Sequence, residues 1–208
     1  MGEFDEGGTS ALTVESTYFG ENEAAQSGGA IYALFLHTVS ATDSIFQSNV
    51  AFDVNGGAIY NPSQIERCEF LENRAQYGGA IFIRSVASVA HSFFWSNTAT
   101  YLGGGLVIND STEVDSFVDV VNNTFVDNLV VTGDGAAIYI YDADRVTLRN
   151  NIVADFRSTD TCIHNVEIIG ELSFDHNNVY SVEGVTWAGL NTYPGLICLL
   201  YTSPSPRD

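Results

Sequence analysis

The chain repeats one phrase, Phe-x-x-Asn-x-Ala followed after a short gap by Gly-Gly-Ala-Ile-aromatic, and this repetition leaves few architectures open. Three faithful copies stand at Phe19, Asn22 and Ala24 with Gly28 to Tyr32, at Phe46, Asn49 and Ala51 with Gly56 to Tyr60, and at Phe70, Asn73 and Ala75 with Gly78 to Phe82. Two later copies drift: Phe94, Asn97 and Ala99 lead to Gly103-Gly104-Gly105-Leu106, and Phe125, Asn128 and Val130 lead to Gly135-Ala136-Ala137-Ile138-Tyr139. Phe46, Phe70 and Phe94 follow one another at 24 residues. A period of this size belongs to solenoids, whose units bury an apolar face only by stacking on their neighbours.

Two further columns step back from each Phe. Position minus two is small or polar (Thr17, Ser44, Cys68, Ser92, Asn123), and position minus five is apolar (Val14, Ala41, Ile65, Val89, Val120). Apolar and polar residues alternate at strand period and no stretch sustains a 3.6-residue period, so the units are strands and turns. Strands that each pair with their equivalent one coil later give an all-β fold, a right-handed parallel β-helix with coils about 4.8 Å apart. Phe then stacks on Phe inside the coil, each ring contributing about 1.5–3 kcal/mol. The Asn is expected to take the left-handed conformation at a bend and to hydrogen-bond to its neighbours up and down a ladder. The Gly pair marks a second bend, where positive φ or close approach of coils excludes a Cβ. After the fifth copy, Leu148, Asn151 and Val153 and then Phe174, Asn177 and Val179 continue the minus-five, minus-two and Phe columns, giving about seven rungs. Phe156 and Val182 replace the ladder Asn there.

The 208 residues suffice for one domain with a substantial core. Acidic residues number 26 against 7 basic ones, all Arg, for a net charge of −19. That balance excludes nucleic acid, anionic lipid and, without a bridging cation, polyanionic substrates. No apolar run is long enough to span a membrane, and Met1 to Glu6 lacks the basic start and apolar stretch of a secretion signal. Gly7-Gly8 already reads as the second half of a rung, so the chain is expected to be truncated at its N-terminus. Residues 198–208 look like the translation of a transposase-end sequencing adapter, which leaves 1–197 as the β-helix fragment, truncated at both ends. Cys68 and Cys162 then lie about three rungs apart, about 14 Å, beyond the roughly 7 Å reach of a disulfide.

Several groups are candidates for chemistry. If the Ile of each Gly-Gly-Ala-Ile points inward, the next residue points outward, placing Tyr32, Tyr60, Phe82, Val107 and Tyr139 in one stripe. Such a stripe suits sugar rings or a partner protein, or serves as a ladder that stiffens the sheet. On the strand from Asp142 to Arg149, inward Val146 and Leu148 leave Arg145 and Arg149 outward near Asp142 and Asp144. These four are the candidate catalytic group for proton abstraction from a uronate or for two-carboxylate hydrolysis, or they form surface ion pairs. His91, His164 and His176 are dispersed, with Asp175-His176 the one adjacent acid–His pair. An acidic insertion at 109–119 offers Asp110, Glu113 and Asp115 as Ca²⁺ ligands, or forms a solvated turn; no other cofactor is expected. Asn109-Asp-Ser111 and Asn122-Asn-Thr124 fit glycosylation acceptors.

The pairing of Phe-x-x-Asn with Gly-Gly-Ala-Ile over Thr17 to Tyr139 resembles the repeats of chlamydial polymorphic outer-membrane proteins. The later Asn-Asn-Ile and His-Asn-Asn-Val-Tyr resemble the broader right-handed β-helix, pectate lyase-like superfamily. The first resemblance implies an exported bacterial cell-surface protein acting in adhesion, with host-cell or surface glycans or proteins as partners, no nucleic acid, and membrane association only through an anchor outside this sequence. The second implies a polysaccharide lyase or glycoside hydrolase as the alternative. An enzyme needs acids and a base gathered on one outward face, whereas an adhesin needs none.

Overall fold

The computed structural model describes residues 10–33, 37–109, 117–155, 162–165, 168–181 and 187–188. The insertion candidates Asp110, Glu113 and Asp115, the positions Phe156 and Val182, and the adapter-like tail all lie outside the described residues. Within them the chain is a parallel β-solenoid. One coil reads Gln64–Glu66, Glu69–Leu71, Arg74–Tyr77 and Ile81–Ile83, one strand in each of four sheets. Every strand pairs in parallel with its equivalent in the next coil, giving three sheets of seven strands and one of five. Five coils thus carry all four strands, and two more carry three described strands each.

The expected columns are the actual register. Phe46 aligns with Phe70, Phe70 with Phe94, and Phe94 with Phe125, and Val153 and Val179 continue the column. The rings lie nearly parallel with centroids 4.5–5.0 Å apart from Phe19 to Phe125, so strand spacing and ring thickness coincide and no void opens between coils. Around this stack, Ile65, Ile81, Ile83, Leu106, Ile108, Ile138 and Ile140 complete a dry interior with no exposed surface. Cys68 and Cys162 are buried, and neither is in a disulfide.

The Asn ladder forms, and the amides of Asn49, Asn73 and Asn97 are used fully. The Asn73 side-chain nitrogen donates to the Phe46 carbonyl at 2.8 Å and to the Asn97 side-chain oxygen at 2.9 Å. The Asn73 side-chain oxygen accepts from the Asn49 backbone N–H and side-chain nitrogen, both at 3.0 Å. The expected left-handed backbone, however, belongs to the residue before each Asn: Glu21, Ser48, Glu72, Ser96 and Asp127 have φ of 51–57°. The turn is made one residue early so that the amide itself points inward, where burial gives its hydrogen bonds their worth.

The minus-two column does the same at the preceding corner. Ser16, Asp43, Arg67, His91, Asn122, Asn150 and His176 are left-handed there, and the following residue turns a polar group inward. Toward the later coils this column becomes a second buried amide ladder. Asn123 and Asn151 each donate backbone and side-chain N–H groups to the oxygen of the next amide, Asn151 and Asn177 respectively. Cys68 occupies the column as a thiol, its Sγ 3.4 Å from the carbonyls of Ala41 and Glu66.

Candidate functional site

The Gly-Gly corner creates an apolar groove on the described surface. The first glycine of each pair is left-handed (Gly56, Gly78, Gly103 at φ 63–65°), and it folds the third sheet sharply onto the outward face of the fourth. A Cβ on Gly103 would lie 2.4 Å from the Val107 side chain, so the close approach of the two sheets at this corner requires glycine. The residues just before these glycines, Asn55, Tyr77 and Leu102, are thereby held as a column, and they face the outward column Phe82, Val107 and Tyr139. Asn55 bridges Tyr77 across coils, and Tyr77 aligns with Leu102 after a register shift that adds one residue to the later strand.

The expected aromatic stripe therefore exists outside the main core, but most of it is not open surface. Tyr60, Phe82, Val107 and Tyr139 form a second apolar cluster against which Tyr77 and Leu102 pack, and each of the four is less than a tenth exposed. Tyr32 alone is open, at 54% exposure, and it stacks on Tyr60 at 5.0 Å, away from the groove. What remains accessible is a groove of about 430 Å³. Val54, Tyr77 and Leu102 form one wall, and Phe82, Val107 and Tyr139 form the floor. Two residues further along the same strands, on the same face by strand period, Arg84, Asn109 and Tyr141 form the far rim.

Arg84 is held by its own backbone as well as by its side chain. Its N–H donates to the Asn61 side-chain oxygen at 2.9 Å, and its Nη1 lies 3.4 Å from the Tyr60 hydroxyl. Burial chiefly, with the nearby Asp134 carboxylate, pushes the Tyr139 phenol above its ordinary pKa, so it remains a neutral hydroxyl through the physiological range. The His164 ring packs against Tyr139 at 5.3 Å and approaches Asp134 at 3.4 Å, a contact that does not form a hydrogen bond.

The four catalytic candidates do not converge. Asp142 is a left-handed turn residue, and Asp144 lies at a bulge between Ala143 and Arg145. Arg145 registers with Glu171, and Arg149 with Asp175, on the next coil. Opposite charges thus face one another between coils, a relation that neighbours in sequence do not show. Arg145 alone of the four lines a second depression of about 390 Å³, beside Asp119 and Glu171. Those two acids were not legible as a pair, because they come from coils two apart. Among the described residues no group of three metal-ligating side chains gathers. His176 meets only its neighbour Asp175, at 2.7 Å, both well exposed. The sequence reading also missed an exposed apolar strip on the second sheet, where Phe93, Trp95 and Ile152 each remain more than a third exposed. The alternation Phe93-Phe94-Trp95, with Phe94 wholly buried, carried that signal.

The Chlamydia polymorphic membrane protein repeat matches residues 16–34 and 43–62. Metabotropic glutamate receptor-like protein R of Dictyostelium discoideum is 29% identical over 150 residues, which make up 70% of this chain and 9% of that protein. The chain thus spans less than a tenth of that relative. No solved structure matches. The first two coils are similar to the Chlamydia polymorphic membrane protein repeat, and the described residues form a parallel β-solenoid, consistent with the β-helix superfamily.

Proposed function

We propose that the chain is the adhesive part of a cell-surface protein, and that the groove between the Gly-Gly corners and the Phe82–Val107–Tyr139 floor holds a segment of a partner protein. The observation that carries this reading is the groove's lining. Val54, Phe82, Leu102, Val107 and the faces of Tyr77, Tyr139 and Tyr141 make most of the lining apolar, and its hydrogen-bonding groups are Asn55, Arg84, Asn109 and the three tyrosine hydroxyls. A sugar ring buries several hydroxyls, each of which needs a partner once out of water. An apolar side chain makes no such demand, and rigid aromatic surfaces are the usual anchors of protein interfaces. The polymorphic membrane protein repeat supports a surface location, and the receptor-like relative is compatible with one.

The test is adhesion of beads coated with the 208-residue chain to cultured cells under flow. Protease treatment of the cells is expected to abolish retention, and glycosidase treatment to leave it. Tyr141→Ala, at an exposed rim position, is expected to weaken retention more than about fivefold, the loss typical of an interface anchor. Retention that survives protease and disappears with glycosidase would replace the protein partner with a glycan. The enzyme alternative rests on the depression holding Asp119, Arg145 and Glu171. It requires that the chain release reducing ends or unsaturated products from a polysaccharide, and that Glu171→Gln stop that release.

A further inference from the structure

Away from the groove, the second sheet presents an outward face whose chemistry changes along the solenoid axis. Phe93 and Trp95 point outward from one strand, about 6.6 Å apart, on either side of buried Phe94. On the preceding coil Glu69 aligns with Phe93, and Leu71 with Trp95. On the following coils Val126 aligns with Trp95, and Ile152 continues the column of Phe93 through Thr124. The face thus runs from a carboxylate through two aromatic rings to aliphatic side chains, over three inter-strand spacings or about 14 Å. Phe93, Trp95 and Ile152 are 36%, 38% and 49% exposed. Apolar surface rimmed by polar groups is what interaction sites present.

Charge decides the kind of partner. Glu69 is exposed within the face, and Glu72 is exposed at its corner, where its backbone N–H donates to the Trp95 carbonyl at 3.0 Å. Among the described residues neither carboxylate has an ion pair or a side-chain hydrogen bond. At the opposite corner Arg67 is held by Asp43 and Glu66, and His91 contacts Asn122. Arg74 lies beyond the Glu72 corner, on the third sheet. A second copy of the chain would set one net charge of −19 against another, with Glu69 in the contact. A cation gains twice here, from the aromatic faces and from the carboxylate beside them. We infer that this face docks a segment of a partner protein with an Arg or Lys two and four residues from apolar side chains. The cation lies over Phe93 and Trp95 beside Glu69, and the apolar groups lie over Val126 and Ile152. Side chains i, i+2 and i+4 of an extended segment share one face at about 6.6 Å intervals, which matches that length. The groove lies between the third and fourth sheets, so this surface stands independently of the function proposed above.

The experiment titrates the 208-residue chain with acetyl-Gly-Leu-Ser-Leu-Ser-Arg-Ser-Leu-Ser-Leu-Gly-amide, which offers the spacing in both directions, and with its Gln-for-Arg counterpart. Backbone amides and the Trp95 indole N–H are followed by NMR. The Arg peptide is expected to shift Leu71, Phe93, Trp95 and Val126, and to bind about fivefold more tightly than the Gln peptide. Glu69→Gln is expected to bring the two affinities within about twofold. Glu23→Gln removes the same charge from the third sheet and is expected to keep the preference, which separates a local contact from the general attraction of an acidic chain for a cation. Equal affinities in the unaltered chain, a preference that survives Glu69→Gln, or one lost equally in Glu23→Gln would overturn the cation contact and with it the inference. Shifts confined to Tyr77, Val107 and Tyr139, or none with either peptide, would overturn the face as a docking surface. Trp95 shifts that grow with protein concentration before any peptide is added would give the face to a second copy instead.

Discussion

At the scale of single residues, stability is concentrated in side chains that look ordinary in composition. Asn73 has no exposed surface, and its side chain makes four hydrogen bonds, two given and two accepted. Asn73→Ala strands the Asn49 N–H and half of the neighbouring amides, and is expected to cost about 2–4 kcal/mol in a urea melt. Glu72→Ala, one residue earlier at a left-handed corner, keeps the same backbone demand and is expected to change stability by less than about 0.5 kcal/mol. Equal losses would remove the ladder's energetic role. Cys68 illustrates a different constraint: burial, its largest influence, raises the thiol pKa, so the sulfur remains protonated. Alkylation of Cys68 by iodoacetamide, read at that residue by peptide mapping because Cys198 also carries a thiol, is expected only on unfolding, and its labelling in the native chain at the rate of a free thiol would contradict the buried placement. Cys68→Ser, matching Ser44 and Ser92 in the same column, is expected to be tolerated within about 1 kcal/mol.

Between strands, backbone proximity decides what a sequence column must contain. A Cβ on Gly57 would lie 2.0 Å from the Gly79 carbonyl oxygen and 2.6 Å from the Arg74 nitrogen. Neither is the end of a flexible side chain, so relief requires the coils to part. Gly57→Ala is expected to cost about 3 kcal/mol or more. Ala58→Gly next to it loses one buried methyl and some backbone rigidity, about 1–2 kcal/mol, and paired thermal melts rank the two. Across the second and third coils, Arg67 grips Asp43 with two hydrogen bonds, at 2.8 and 2.9 Å, and also contacts Glu66. The Arg67 hydrogen bond is the main reason the Asp43 carboxyl has a lowered pKa. A carboxyl whose pKa is lower folded than unfolded adds stability above its unfolded value and loses it as pH falls through the folded one. Arg67→Gln is therefore expected to reduce the difference in melting temperature between about pH 6 and pH 3. The pair is exposed, and a profile unchanged by the substitution would show that solvent screens it fully.

Over the whole molecule, a one-dimensional stack with a net charge of −19 has cohesion along its axis and repulsion over its surface. Raising ionic strength from about 0.01 to 0.15 M shortens the screening length from about 30 to 8 Å. The melting temperature is expected to rise by about 3 °C, as a repulsion of about 1 kcal/mol is screened. A fall on adding salt would mean that favourable ion pairs outweigh the repulsion.

The sequence by itself determined the repeating unit, its strand character, the stacked Phe and Asn columns and their register. Each coil sits on an equivalent coil, so a residue's partner is its own counterpart one period away. The tertiary structure alone decided which outward residues are reachable. The aromatic stripe was legible as a column, yet the Gly-Gly corner folds Tyr77 and Leu102 over it, turning a face into a groove with Arg84 at its rim. The turn residue before each Asn, the second amide ladder through Asn123, Asn151 and Asn177, and the partners of Arg145 and Arg149 belong to the same class. Periodicity fixes which residues stack. Corner angles, set by backbone geometry at a few left-handed positions, fix which columns face each other and which face water.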